Sequence, residues 1–326
     1  MAMISDLPRE LREDIVLRLP FESLRALRLT CKKWDTLLKS RRLTKMHFEK
    51  AAATAARERE SQMIMLMDHN LYLKSVVFDV DPSIKHRGKL TCLGEQVKIS
   101  RVFHCDGLLL CKLRDNNNKV VVWNPYTGQT RWIGPRRTQR EEKGTNIYMY
   151  ALGYVNKRNK SRRRSYKILK IVYEMYSIHC HRVFYEIYDV DSGLWRTLDI
   201  PERTWYVNFD DISVSLKGNT YWCAIGNVLG PREHLVICFD YTRKRFGPLM
   251  QLPFTARKED HVTLSCVREE KLAVSLQRQS GNPCRIEIWI TTKIDTRKLS
   301  WSKFLTRDME QVFDCYTYIY FPPRKR

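Results

Sequence analysis

One local pattern recurs four times between residues 105 and 301, and it limits the fold more than any other feature. A strand-like run ends in a polar turn, and the next run opens on an aromatic residue. The first copy holds Gly107-Leu-Leu-Leu-Cys111 and Val120-Val-Val-Trp-Asn-Pro125, and closes on Trp132. The second holds Tyr166-Lys-Ile-Leu-Lys-Ile-Val172 and Phe184-Tyr-Glu-Ile-Tyr-Asp189, and closes on Trp195. The third runs through Leu235-Val-Ile-Cys-Phe-Asp240 to Phe246, and the fourth through Ile286-Glu-Ile-Trp-Ile-Thr291 to Trp301. The four aromatics lie 63, 51 and 55 residues apart. Four-stranded units at a spacing of about 40 to 50 residues signal a β-propeller. The alternative for the same strand count is a large twisted β-sandwich. Strand-like runs before Cys105 (Met63 to Met67, Tyr72 to Phe78, Gly94 to Phe103) and after Trp301 leave room for five or six blades. Val312 to Tyr320 is expected to pair with Met63 to Met67, which removes two exposed sheet edges.

The first 60 residues have a different texture. Leu7, Leu11, Ile15 and Leu19 recur every four residues and share one helical face. Pro8 suits a first turn, where its missing N–H is not needed. Asp6 is placed to cap that turn, and Pro20 to stop the helix. Apolar sets follow at Leu24 and Leu27, then at Trp34, Leu37 and Leu38, the last three expected to pack within the helical unit itself. Residues 43 to 60 are rich in helix formers and read as a linking helix. The expected organisation is a helical domain over 1–45, a helical linker over 46–61, and a β-domain over 62–326. Three helices this short bury too little apolar surface alone and need a surface to dock on.

Composition narrows the function. The net charge is +22 and the pI near 9.7, which favours nucleic acid, acidic proteins or anionic surfaces as partners, or simple solubility. Two charged stretches, 134–145 and 156–165, interrupt the strands and read as solvated loops. The second is also a candidate nuclear-localisation or phosphate-binding segment. The start of the chain lacks a basic and apolar leader, and no run reaches the roughly 20 apolar residues of a membrane span. The ten cysteines form no C-x-x-C pair, so they read as reduced, mostly buried thiols in the cytosol or nucleus. His179-Cys180-His181 is the close ligand cluster, and no second pair accompanies it, so no metal is expected. No G-x-S-x-G, P-loop, G-x-G-x-x-G or H-E-x-x-H stands in the chain. That absence favours a binding protein over an enzyme.

The N-terminal pattern is Leu7-Pro8-x-x-Leu11, Asp14-Ile15, Leu19-Pro20-x-x-Ser23-Leu24 and Arg28-x-Thr30-Cys31-Lys32-x-Trp34. It resembles the F-box along about 40 residues. The rest is similar to the F-box-associated, kelch-like domain of plant F-box proteins. The matching pieces are Cys105-Asp-Gly-Leu-Leu-Leu-Cys111, Val122-Trp-Asn-Pro-Tyr-Thr-Gly128, Ala151-Leu-Gly-Tyr154, Ser215-Leu-Lys-Gly-Asn-Thr-Tyr-Trp222 and Glu287-Ile-Trp289. No Gly-Gly doublet of the kelch type occurs, so the blade count rests on module spacing. The resemblance implies a mainly β fold with a small all-α N-terminal domain. It implies a non-catalytic substrate adaptor of a Skp–cullin–F-box (SCF) ubiquitin ligase, without a cofactor, in the nucleus or cytoplasm. The implied partners are a Skp-type adaptor, through it cullin and RING subunits, and a target protein. Carried onto this chain, the adaptor contacts are Leu7, Pro8, Leu11, Ile15 and Leu24. Which loops would hold a target is open, with 134–145 and 156–165 as candidates. Two other readings stand beside it: a propeller that binds nucleic acid or acidic proteins and carries a helical docking motif, and an enzyme on a propeller scaffold.

Overall fold

The structure is a computed structural model. It describes residues 7–19, 21–38, 40, 42–43, 46, 50, 60–77, 83–90, 97–116, 118–125, 127–136, 145–157, 164–175, 181–201, 203–208, 212–226, 233–257, 259–278, 284–295, 297–309 and 319–320. Three helices come first: α1 (Arg9–Arg18), α2 (Phe21–Thr30) and α3 (Lys32–Leu38). The expected linking helix falls almost wholly outside the described residues, as do Asp6 and Pro20.

All else is antiparallel sheet. The first sheet holds β1 (Glu60–Met67), β2 (Asn70–Val77) and β3 (Ser83–Lys89). The second holds β4 (Ile99–Cys105), β5 (Leu108–Leu113), β6 (Val120–Asn124) and β7 (Gln129–Ile133). The third holds β8 (Thr145–Asn156), β9 (Arg164–Met175), β10 (His181–Asp189) and β11 (Leu194–Leu198). The fourth has six strands: β12 (Trp205–Tyr206), β13 (Val214–Leu216), β14 (Asn219–Gly226), β15 (Glu233–Asp240), β16 (Arg245–Phe246) and β17 (Met250–Gln251). The fifth holds β18 (His261–Val267), β19 (Lys271–Arg278), β20 (Cys284–Ile294) and β21 (Leu299–Met309). The last described strand, β22 (Ile319–Tyr320), returns to the first sheet and pairs with Ile64 and Met65 of β1. This is the pairing expected of the C-terminal run.

Five separate sheets in chain order make the β part propeller-like and set aside the two-sheet sandwich. The aromatic markers explain the order. Trp132, Trp195, Phe246 and Trp301 lie on β7, β11, β16 and β21, each a late strand that pairs back on the one before. Three of the preceding turns share one device. Asp189 Oδ1 accepts the amides of Asp191 and Ser192 at 2.9 and 3.3 Å. Asp240 Oδ1 accepts those of Thr242 and Arg243 at 2.8 and 3.0 Å. Asn124 Oδ1 accepts that of Thr127 at 3.1 Å. An Asp or Asn oxygen that caps its own turn is the chemistry such reversals favour.

The inner hairpins reverse differently. Asp68 and His69, Asp106 and Gly107, and Lys217 and Gly218 all have positive φ and join consecutive strands in two residues. Paired positive φ values match the strand twist of tight hairpins.

The chain divides into two compact units, residues 1–102, 107–133 and 317–326, and residues 103–106 and 134–316. In the first, Leu71, Ile99, Leu109, Cys111, Val121 and Trp123 form a core across the first two sheets. In the second, one core centres on Leu169, Ile237, Phe239, Trp222 and Tyr241, and another on Val236, Leu272, Val274 and Leu276.

Gly153 and Gly218 lock the third sheet to the fourth. The Tyr154 amide donates to the Gly218 carbonyl at 3.0 Å. A Cβ on Gly153 would overlap the Gly218 carbonyl and the buried Tyr241 ring. Gly153→Ala is therefore expected to destabilise the protein by about 1–3 kcal/mol or more. Gly134→Ala, where nothing lies within 4 Å, should stay within about 0.5 kcal/mol of wild type. Denaturant midpoints compare the two.

His104 gives a second prediction. Burial lowers its pKa from 6.5 to about 3. The unfolded chain takes up this proton below pH 6.5 and the folded chain does not. Stability therefore falls as pH drops from 6.5 towards 3. His104→Gln should flatten that slope between pH 6.5 and 5, read as melting temperature against pH.

Candidate functional site: the helical docking face

The three helices have a core of their own. Val16, Leu24, Trp34, Leu37, Leu38 and Leu43 are buried together, with Ile15, Leu17, Leu19, Leu27 and Cys31 packed around them. Trp34, Leu37 and Leu38 lie inside the helical unit, as expected. Pro8 occupies the cap position of α1 rather than its first turn, at φ −49 and ψ 151, and its carbonyl accepts the Arg12 amide at 3.1 Å. The Arg12 guanidinium donates to the Leu7 carbonyl at 3.0 Å, which ties down the lead-in. Arg9 with Glu13 at 2.9 Å and Asp14 with Arg18 at 2.8 Å bridge successive turns, each worth about 0.2–0.5 kcal/mol.

Five residues carry the docking expectation, and the structure places them at different depths. Pro8 is exposed, and Leu11 is 52% exposed. Leu7 and Ile15 are half-buried, Ile15 against the helical core. Leu24 is 1% exposed and belongs to that core. The period-four stripe is therefore split: Leu11 faces outward, while Ile15 and Leu19 pack against the helical core. Val16, one position past Ile15, is the fully buried residue of α1. Pro8 and Leu11 are thus exposed, Leu7 and Ile15 half-buried, and Leu24 buried in the helical core.

Leu29 of α2 escaped the sequence reading, and Arg28 entered it only as one position of the N-terminal pattern. Leu29 is 72% exposed. It lies about 200° around the helix from Leu27, at roughly 100° per residue, so the periodicity alone would have excluded it from the core. Arg28 is mostly covered. Its Nη1 donates to the Thr127 carbonyl at 2.7 Å, and its Nε lies 3.6 Å from Asp35 Oδ1. Thr127 sits in the capped turn between β6 and β7, within the same compact unit. Beside this contact opens a cleft of about 580 Å³, lined by Arg28, Val122, Asn124, Gly128 and Arg131 among others.

The charged loops are only partly described; 137–144 and 158–163 lie outside the described residues. The ends of the basic stretch are structural. Arg164 and buried Ser165 belong to β9. Arg164 pairs with Asp106, which also accepts the Tyr166 hydroxyl at 2.5 Å, and its guanidinium lies 4.4 Å from the Tyr154 ring centre. Ser165 donates to Asp191 at 2.8 Å, and Lys157 pairs with the same carboxylate at 2.8 Å. Lys157 and Arg164 thus already hold acidic partners within the fold.

Three of the described thiols are poor nucleophiles. Burial pushes Cys238 and Cys266 up to about 12, and Cys105 above the usual thiol range. Cys105 Sγ accepts a hydrogen bond from Ser215 at 3.0 Å. His179 and Cys180 fall outside the described residues, among which no cluster of three or more His, Cys, Asp or Glu could hold a metal ion. Among them, too, no helix is long and apolar enough to cross a membrane.

Comparison with known proteins agrees with this layout. Residues 4–46 match the F-box domain, and residues 62–322 match the F-box associated beta propeller domain. An F-box/kelch-repeat protein of Arabidopsis thaliana is 51% identical over 315 residues, covering 94% of this chain and 71% of that protein. A second Arabidopsis thaliana F-box protein is 52% identical over 325 residues, covering 94% of this chain and 71% of its own length. A third is 47% identical over 324 residues, covering 94% and 74%. A helical unit with a core of its own, followed by a propeller-like β part, is what these matches describe: the chain belongs to the plant F-box family whose members carry an F-box-associated β-propeller domain.

Proposed function

We propose that this F-box protein is the substrate-recognition subunit of an SCF ubiquitin ligase, without an active site of its own. The helices over 1–45 hold a Skp-type adaptor, and through it the cullin and RING subunits. The β-domain over 62–326 holds a target protein. The observation that carries this is the exposed edge of α1. The helical unit completes a core around Val16 and Trp34, yet leaves Leu11 52% exposed beside exposed Pro8. A helix whose core is satisfied has no internal use for that surface. Burying one such Leu or Ile at an interface contributes roughly 1.5–3 kcal/mol. Leu7, Pro8, Leu11 and Ile15 supply the contact, and Leu24 supports it from below.

The chemistry then belongs to the partners. Tethering a target lysine near a charged ubiquitin-transfer enzyme raises its effective concentration, and geometry alone supplies the rate. The reading places the protein in the nucleus or cytoplasm, where those partners work.

Leu11→Asp and Ile15→Asp test the assignment. Each puts a charge into the proposed interface, and Leu11 leaves the helical core untouched. Binding of a purified Skp-type adaptor, followed by calorimetry, is expected to fall at least tenfold for Leu11→Asp, about 1.4 kcal/mol, with an unchanged circular dichroism spectrum. Wild-type affinity in both variants would remove the proposed interface.

A further inference from the structure

Arg28 of α2 reaches a turn between two β-strands by a hydrogen bond. Its Nη1 donates at 2.7 Å to the Thr127 carbonyl, ninety-nine residues along the chain. On the other side its Nε faces Asp35 of α3 at 3.6 Å. The guanidinium is thus held by its own helical unit and spends its far end on the sheet.

The receiving turn is built for this. Asn124 Oδ1 accepts the Thr127 amide at 3.1 Å, and the Asn124 carbonyl accepts the Gly128 amide at 2.8 Å. Gly128 has φ +67, a backbone state that favours glycine. Thr127 itself is 4% exposed. Its carbonyl is therefore fixed in direction and presented to α2. A hydrogen bond from a charged donor to a fixed carbonyl is roughly twice as strong as a neutral one.

The surroundings show why one contact matters. The cleft of about 580 Å³ lies beside it, between Arg28 and the strand residues Val122 and Arg131. Among the described residues the buried core of the helices holds no strand residue, so apolar burial does not fix the joint at that side. We infer that Arg28 is a strut that sets the orientation of the F-box helices on the first two sheets, and so the direction in which the ligase faces its target. Arg28 is a positioning residue. Its role in ubiquitin transfer rests on the ligase reading above; its role as a strut does not.

The test is a distance distribution on the full chain. Spin labels placed by unnatural amino acids at exposed Glu10 of α1 and exposed Asn116, in the turn between β5 and β6, report the helix-to-sheet distance by pulsed electron resonance. Wild type should give one narrow peak. Arg28→Ala should lose it to a broad distribution, with Skp-type adaptor affinity unchanged. Arg28→Lys keeps a donor and should fall between the two. A wild-type distribution in Arg28→Ala overturns the strut. If Arg28→Ala loses its helical circular dichroism, Asn124→Ala decides, because it loosens the turn without touching the helices; a narrow peak there overturns the inference. Reconstituted with adaptor, cullin, RING and ubiquitin-charging enzymes, Arg28→Ala should also spread self-ubiquitination over more of the chain's own lysines, and an unchanged lysine pattern removes the functional role. A wild-type chain that binds no adaptor sinks the ligase reading, and the distance measurement still judges the strut.

Discussion

A side-chain oxygen that holds the amides of its own turn recurs at one place in three successive sheets. Asn124, Asp189 and Asp240 each end a strand and cap the reversal that follows. The sheets depend on these reversals. They return the chain in register, so that Trp195 lies against Tyr188 with ring centres 5.0 Å apart, and Phe246 against Phe239 at the same distance. Phe246 reaches on to Trp205 and Trp222. At Asp189, burial alone would raise the carboxyl pKa, but Lys167 and the two turn amides outweigh it and hold the group below its ordinary range. The cap stays charged, and a charged acceptor grips the turn more firmly.

The helical unit follows a different logic. Its core is small, and α2 and α3 meet through Leu24, Trp34 and Leu37 while α1 contributes mainly Val16. A helix that buries so little of itself keeps surface to spare. The same economy leaves α2 free to send Arg28 outward to the β6–β7 turn. One capped turn therefore serves twice, reversing a strand and receiving the helices.

Much of this was legible in residue order. The spacing of Trp132, Trp195, Phe246 and Trp301 located a late strand in four sheets, because a polar turn after one strand returns the chain to pair with it. The pairing of the C-terminal run with β1 was also legible, since both were apolar strands without partners. The α1 stripe was readable as a stripe but not as inside or outside. Leu11 and Val16 are both aliphatic, and only packing against Trp34 and Leu37 makes Val16 the inner one. Leu24 fits the same motif as Leu11, yet is buried, because α2 lies across α3. Arg164 looked like one more charge in a basic loop. Its pairing with Asp106 of the β4–β5 turn comes from the packing of one sheet beside the next, which charge composition does not encode.

Sequence alone determined the division into short helices and a repeated β part, and the family to which the chain belongs. Periodicity, turn chemistry and aromatic spacing are local, and local patterns survive in a linear reading. Tertiary structure decided which of the apolar residues of α1 and α2 face outward, which basic residues are already paired, and that Arg28 meets the Thr127 carbonyl. Those depend on contacts between residues up to a hundred positions apart, where burial and direction arise only after the chain has folded.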